Sequence, residues 1–283
     1  MSRMQPNSGE KKSHQVFAEK SRAILYPVAA DNRFQYRWIL MKEALQRTEK
    51  EYGSFSLRSV DFRNETRGIE EVKAGKLTII RHPTTKKLEK ELLAIRIPLL
   101  KGLLGYRIFL LHQKNQKKFT SVRNFSDFKN FSCGQVLDWS DVPLLQANGI
   151  KVVGSKNYDS LFAMLLAGRF DYFSRSITEG IFEYEQKKQE YPALALEKSI
   201  CLYYPFVEYF FVSKRDTLLA QRIERGLNLM VVDGSFDRIF WRFFRRAVKK
   251  ANLKKRRMFV LKNPNLPKSV PFHRKELWLD LNQ

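Results

Sequence analysis

Short apolar runs alternate with helical stretches along this chain, several of the helices closed by glycine, and that order limits the folds open to it. Ala23–Ala30 (AILYPVAA) reads as a strand, and Phe34–Tyr52 as a helix whose apolar stripe of Trp38, Leu40, Met41, Ala44 and Leu45 stops at Gly53. Ser56–Asp61 alternates as a second strand, Glu65–Ala74 is a second helix closed by Gly75, and Lys76–Ile80 is a third strand. This βαβαβ order predicts an α/β lobe: a mostly parallel sheet with helices on its faces.

The middle of the chain repeats the grammar. Gln135–Leu137 is a short strand, Asp141 is placed to cap a helix running to Asn148 with Pro143 in its first turn, and Gly149 ends it. Ile150–Gly154 is a strand, Tyr158–Ala167 a helix with Gly168 beyond it, Phe170–Ser174 a strand and Ile177–Glu190 a polar-faced helix. A second lobe of the same kind follows. Two apolar runs, Tyr106–His112 (YRIFLLH) and Glu208–Lys214 (EYFFVSK), bracket this block and are expected to lie side by side as crossing strands. The expected partition is a disordered tail over 1–20, lobe one over 21–107 and 213–283, and lobe two over 108–212. Thr217–Met230 and the strongly amphipathic Ser235–Ala251 supply the closing helices.

Charge is the compositional outlier, with 52 Lys and Arg against 29 Asp and Glu for a net charge of +23. The last quarter, from Lys214, holds 18 of those cations and 6 of the acids, and Arg242–Arg257 carries nine cations and no acid. Such a balance invites a nucleic-acid reading. The basic run, however, shares its helix with Phe236, Ile239, Phe240, Phe243, Phe244, Ala247 and Val248, at the spacing of a core-docking face. The cations then occupy the solvated face, and neither a helix-turn-helix nor a zinc finger accompanies them.

Other classes are excluded more directly. No stretch reaches about 18 uninterrupted apolar residues, because Arg96, Lys101 and Arg107 break the run Ile95–Leu111, and Pro205 and Glu208 break the run Cys201–Val212. The first 20 residues contain no apolar signal segment, so the expectation is a mature periplasmic form without its leader, or a cytoplasmic protein if the chain is full length. Cys133 and Cys201 allow at most one disulfide and no cysteine-rich metal site. The four histidines are scattered, with His82 expected in a loop, and there is no GxSxG, Walker A or GxGxxG sequence. No cofactor, metal or catalytic residue is implied.

The residues Gly134-Gln135, Asp138–Leu145, Asn148-Gly149 and especially Tyr158–Phe173, with its Leu166-Ala167-Gly168-Arg169 passage from helix to strand, resemble the type II periplasmic solute-binding proteins. More narrowly, they resemble the amino-acid-binding family three of ABC importers and its uncharacterised relatives, over roughly Ala23 to Lys250. The resemblance implies two α/β lobes joined by two crossing strands and closing like a hinge on a small solute. It also implies a monomer whose partners are a small-molecule ligand and a membrane transporter or receptor.

The family's anchors for an α-amino acid are altered. Glu89 stands where an Arg is expected to hold the ligand carboxylate, and Ser176 stands near the position of an Asp that meets the ligand's amino group. A carboxylate cannot replace a guanidinium in binding a carboxylate, so the ligand is expected to be a small polar or anionic molecule other than a standard amino acid. Arg175, at the end of a strand where helix N-termini point into the cleft, is a candidate anion ligand, with Glu179 one turn on. The alternative for that pair is an i, i+4 ion pair on a solvated helix face. Trp139 is a candidate stacking platform or a core tryptophan, and Asp141 is a helix cap or a ligand. Thr84 and Thr85 are candidate donors from the turn after the third strand, and Arg63 and Arg67 candidate cleft charges.

Three readings compete. A solute-binding protein is motivated by the duplicated α/β grammar, a basic nucleic-acid-binding protein by the 242–257 segment, and an enzyme on the same fold would require a paired acid and base or a metal in the cleft. The net charge also predicts weak, salt-sensitive attraction to anionic surfaces.

Overall fold

The computed structural model describes residues 23–29, 35–61 and 64–280. In chain order, β1 (Ile24–Val28) leads to α1 (Gln35–Arg47) and the short α2 (Glu49–Tyr52), then to β2 (Leu57–Asp61), parallel to β1 with Ile24 opposite Leu57. The single helix expected to reach Tyr52 is interrupted at Thr48, whose buried hydroxyl donates to the carbonyls of Ala44 and Leu45. Such back-bonding competes with the helical ladder. Helix α3 (Glu65–Lys73) starts where the Asn64 side chain accepts from the Arg67 amide at 2.8 Å. Strand β3 (Ile79–Pro83) begins three residues later than expected and takes in His82, which is therefore no loop residue. Helix α4 (Lys86–Glu91) and β4 (Leu93–Ile95) follow.

The next block opens with β5 (Tyr106–His112), the run read from the sequence, then α5 (Gln116–Thr120), α6 (Phe125–Phe128), β6 (Ser132–Val136), α7 (Val142–Ala147), β7 (Lys151–Ser155), α8 (Ser160–Leu166) and β8 (Tyr172–Ser176). It continues through α9 (Ile177–Lys187), β9 (Leu194–Leu196), β10 (Ile200–Tyr203) and β11 (Glu208–Val212) to α10 (Thr217–Val232), α11 (Ser235–Ala251) and β12 (Arg257–Val260).

The strands form a seven-stranded sheet ordered β12-β10-β5-β8-β6-β7 with β9 also on β5, a three-stranded sheet β3-β11-β4, and the β1-β2 pair. Among the described residues, every antiparallel pairing involves β5 or β11 and every parallel pairing involves neither. The sheets are thus mixed: the βαβ grammar produces the parallel ladders, and each apolar run lies at the antiparallel centre of a sheet. Contrary to expectation, the two runs do not lie side by side, because β5 belongs to the seven-stranded sheet and β11 pairs with β3 and β4. The partition shifts accordingly. Residues 208–212 join the sheet of the first block, and 257–260, expected with lobe one, pair with β10.

The crossings themselves are 96–105 and 204–207. The Tyr204 amide donates to the Gly105 carbonyl at 3.2 Å, and the Leu99 amide to Glu208 at 3.0 Å. Gly105 is required here, since a Cβ at this position would lie 2.1 Å from the Tyr204 carbonyl oxygen. On the first block α10 crosses α1 equally closely at Gly226, where a Cβ would meet the Ala44 carbonyl at 2.1 Å. One core cluster runs through both blocks, from Leu40, Met41 and Phe240 to Phe109, Phe128 and Tyr172. Helix α11 buries Phe236, Phe240 and Phe244 and turns its cations outward, as its apolar spacing predicts. Cys133 and Cys201 are buried and free, and burial pushes both thiols up to about 12.

Candidate functional site

A cleft of about 440 Å³ opens where the two blocks face each other. Asn64, Glu65, Arg81, Pro83 and Glu208 wall it from one side; Asp138 to Asp141, Lys156 to Asp159, Arg175 and Glu179 wall it from the other. Leu104 and Phe206 come from the crossings. Most of these residues sit at or just beyond the carboxyl ends of β3, β6, β7 and β8, where loops of an open α/β sheet converge and side chains are free to point at a ligand. The volume suits a small molecule.

The walls are charged, and the charges are matched. Glu208, 2% exposed, accepts from Arg37 Nε at 2.8 Å and from Arg81 Nη1 at 3.3 Å. Arg81 also donates to Glu65 at 3.1 Å, and the second Glu65 oxygen lies 3.2 Å from His82 Nε2. The other imidazole nitrogen, Nδ1, lies 2.7 Å from the Pro83 carbonyl. An acceptor faces each nitrogen, an arrangement that favours the doubly protonated ring. Burial works against that charge, but Glu65 and the Pro83 carbonyl together outweigh it and raise the His82 pKa. Burial likewise opposes the Glu65 carboxylate, yet the charges of His82 and Arg81 hold it down at about 2.

On the facing wall Arg107 donates to Asp141 at 2.7 Å and to the Leu104 carbonyl at 3.2 Å, while the Tyr204 hydroxyl donates to the same Asp141 oxygen at 3.1 Å. Arg175 is gripped by two carboxylates, donating to Glu183 from Nε and Nη2 at 2.6 Å and to Glu179 at 2.8 Å. Its guanidinium also lies 4.5 Å from the Trp139 ring centroid and 5.2 Å from that of Phe173.

Three of the residues singled out from sequence, Arg175, Glu179 and Trp139, come together on one wall of this cleft. Their settings differ from the simple expectations. The Arg175–Glu179 pair is not a solvated helix-face pair, since Arg175 is 4% exposed and shared with Glu183. Trp139 both lines the cleft and stacks on Phe173 at 6.1 Å, so its platform and core roles coincide.

Asp141 also lines the cleft, whereas Thr84, Thr85 and Arg67 do not reach it. Thr85 caps α4, accepting from the Leu88 amide, and Thr84 is buried with its hydroxyl donating to Glu89 at 2.7 Å. Arg67 faces solvent in an i, i+4 pair with Glu71, and Arg63 lies outside the described residues. Asp141 makes no side-chain capping bond, because Arg107 claims its carboxylate. Glu89 is taken by Thr84, by Arg96 at 2.6 Å and by Ser269 at 3.0 Å, outside the cleft. Ser176 caps α9 through the Thr178 amide.

Sequence reasoning passed over Arg81, Arg107, Glu65 and Glu208. A signal was present for two of them: Arg107 and Glu208 are the ionisable residues that break otherwise apolar strands. A charge at such a position is buried with a partner or not tolerated. Among the described residues, no group of three or more His, Cys, Asp and Glu is arranged to hold a metal ion, and no helix is long and apolar enough to cross a membrane.

No family model matches the chain, and no curated protein matches it. Solved structures do. The ligand-binding core of GluR0 in complex with L-glutamate superposes with a TM-score of 0.61 at 12% identity, covering 81% of this chain and all of that one. An ancestral arginine-binding protein bound to glutamine gives a TM-score of 0.60 at 16% identity, over 78% of this chain and 97% of its own. The ancestral amino-acid-binding protein AncCDT-1, a precursor of cyclohexadienyl dehydratase, gives 0.58 at 16% identity, over 78% and 95%. These likenesses establish the class of architecture: the chain has the two-lobed α/β fold of type II periplasmic binding proteins. At such identities they carry the fold and leave the ligand to the residues of the cleft.

Proposed function

We propose that this protein is a solute-binding protein that closes its two blocks on a small polar molecule, acting by binding and release and not as an enzyme. The observation that carries the reading is the cleft itself: a 440 Å³ space walled from both sheets, at strand ends, with its buried arginines prepaired to carboxylates. Prepaired walls hold their geometry without a ligand, which lowers the cost of ordering the site on binding.

The ligand is a molecule other than a standard α-amino acid held through the usual anchors, because Glu89 is engaged outside the cleft and Ser176 is a helix cap. The lining comprises six carboxylates (Glu65, Asp138, Asp141, Asp159, Glu179, Glu208) and four cations (Arg81, Arg107, Lys156, Arg175), with Arg37, His82 and Glu183 pairing from behind, so the cleft offers both signs of charge to a small polar or anionic ligand. Location in the periplasm and delivery to a membrane transporter or receptor, by a monomer, complete the proposal.

Native mass spectrometry of protein purified without refolding, followed by thermal-shift measurements with pooled metabolites, tests it. A saturating ligand at about 100 times Kd stabilises by roughly 2.7 kcal/mol, and Tyr158→Ala, on the cleft wall, is expected to remove the shift. Failure of every pool to be retained or to stabilise the protein would sink the reading.

A further inference from the structure

Helix α11 carries a second feature that the cleft does not use. Arg238, Arg242, Arg245 and Lys249 succeed one another at spacings of four, three and four, so they form one stripe along the helix, and all four are exposed. Among the described residues no carboxylate pairs with any of them. The nearby acids are engaged elsewhere: Asp237 with Lys101 at 2.8 Å, Asp233 with Arg47 at 3.2 Å, and Glu185 with Arg246 and Lys250 on the flank of the stripe. Lys254, Lys255 and Arg257, all exposed, follow the helix in sequence, and edge strand β12 exposes Met258 (39%) and Val260 (70%) on one side of the strand.

Packing does not call for this pattern. The helix docks through its phenylalanines, and a solvated face is served as well by mixed signs, whereas like charges at i, i+4 weaken the helix. A single-sign stripe kept against that cost fits an anionic partner. We propose that α11 with the β12 edge that follows it is a docking face for an anionic lipid bilayer surface, the cations meeting headgroup phosphates and Met258 and Val260 entering the interface.

Geometry favours a surface over a nucleic acid. A major groove about 12 Å wide takes in a whole helix, but α11 is packed on α1, α9 and α10 and offers only its outer face. Its aromatic residues are buried or half-buried in the core, leaving none to stack on bases. Insertion of its apolar face into lipid is closed for the same reason, so docking leaves the fold intact.

Vesicle co-sedimentation of the full chain is the test, using phosphatidylcholine vesicles with and without phosphatidylglycerol, at about 0.1 M and about 0.5 M salt. The expected result is binding only to the anionic vesicles, lost at high salt and weakened about tenfold or more by the triple variant R242E/R245E/K249E. A control reversing three exposed cations on other elements, K87E/K118E/K188E, is expected to weaken binding less than twofold on the same scale. The neutral variant R242Q/R245Q/K249Q repeats the comparison if charge reversal disturbs folding, checked by circular dichroism. Equal loss in both triple variants, no binding by the unaltered chain, or tighter binding to a short DNA duplex than to the vesicles each overturns the proposal. None of these outcomes depends on the solute in the cleft.

Discussion

Two regions of this molecule are rich in arginine and treat it oppositely. In and behind the cleft walls, Arg81, Arg107, Arg175 and Arg37 are buried, and each is met by a carboxylate within 3.3 Å. On α11, four cations stand in line, exposed and without a carboxylate partner among the described residues. A net charge of +23 does not distinguish these uses. Burial does: a charge removed from water must bring its counter-charge with it, while an exposed one need not. The cleft charges therefore hold the fold and shape the site, and the surface charges are available to a partner.

The comparison breaks most visibly at Glu208. Glu208→Ala leaves Arg37 and Arg81 facing each other without their shared carboxylate, and the expected loss is about 3–5 kcal/mol. The midpoint of urea denaturation reads it, and a loss below about 1 kcal/mol would place this network with ordinary surface pairs.

A smaller effect comes from His82. Its folded-state pKa lies above the ordinary imidazole value because Glu65 and the Pro83 carbonyl outweigh burial, so its contribution is complete below about pH 6.5 and fades as pH rises through the folded value. Among the described residues, Glu65, Arg81 and the Pro83 carbonyl face it. Stability measured by chemical denaturation is expected to fall across that alkaline interval, and His82→Gln is expected to flatten the fall. Glu65 acts in the other direction: its contribution is present above the ordinary carboxylate range and is lost as pH falls towards about 2.

The smallest effect is expected on α11. Arg242→Gln and Arg245→Gln should each change stability by no more than about 0.5 kcal/mol, with a slight gain from relieved repulsion the expected sign. A loss of several kcal/mol, seen in the same denaturation series, would show that the stripe is structural after all.

Local pattern made much of the fold legible. The alternation of the longer strands and helices, the bounds of β5 and the inward face of α11 follow from periodicity and from glycine at helix ends, whereas the short α4, β4, α5, α6, β9, β10 and β12 carry too little pattern to be read. Pairing was less accessible, because nothing local says that β5 and β11 enter different sheets or that β12 returns to β10; those contacts are chosen by packing between distant segments. The site shows the same divide. Arg175 is singled out by its place at a strand end, Glu179 by standing one turn on and Trp139 by preceding the Asp141 helix, and all three line the cleft. Thr84 and Thr85 lie off the cleft, because a threonine after a strand equally well caps the next helix or satisfies a nearby carboxylate. Asp141 looked like a cap because its partner, Arg107, lies 34 residues away in sequence.

A crystal structure of protein purified without refolding, grown with the metabolite pool that gives the largest thermal shift, decides whether the cleft is the binding site. A small molecule is expected there, bounded on one side by Glu65, Arg81 and Glu208 and on the other by Trp139, Tyr158 and Arg175, with the buried ion pairs intact. A molecule bound away from these walls, or a cleft collapsed with its arginines repaired to new carboxylates, would contradict that expectation.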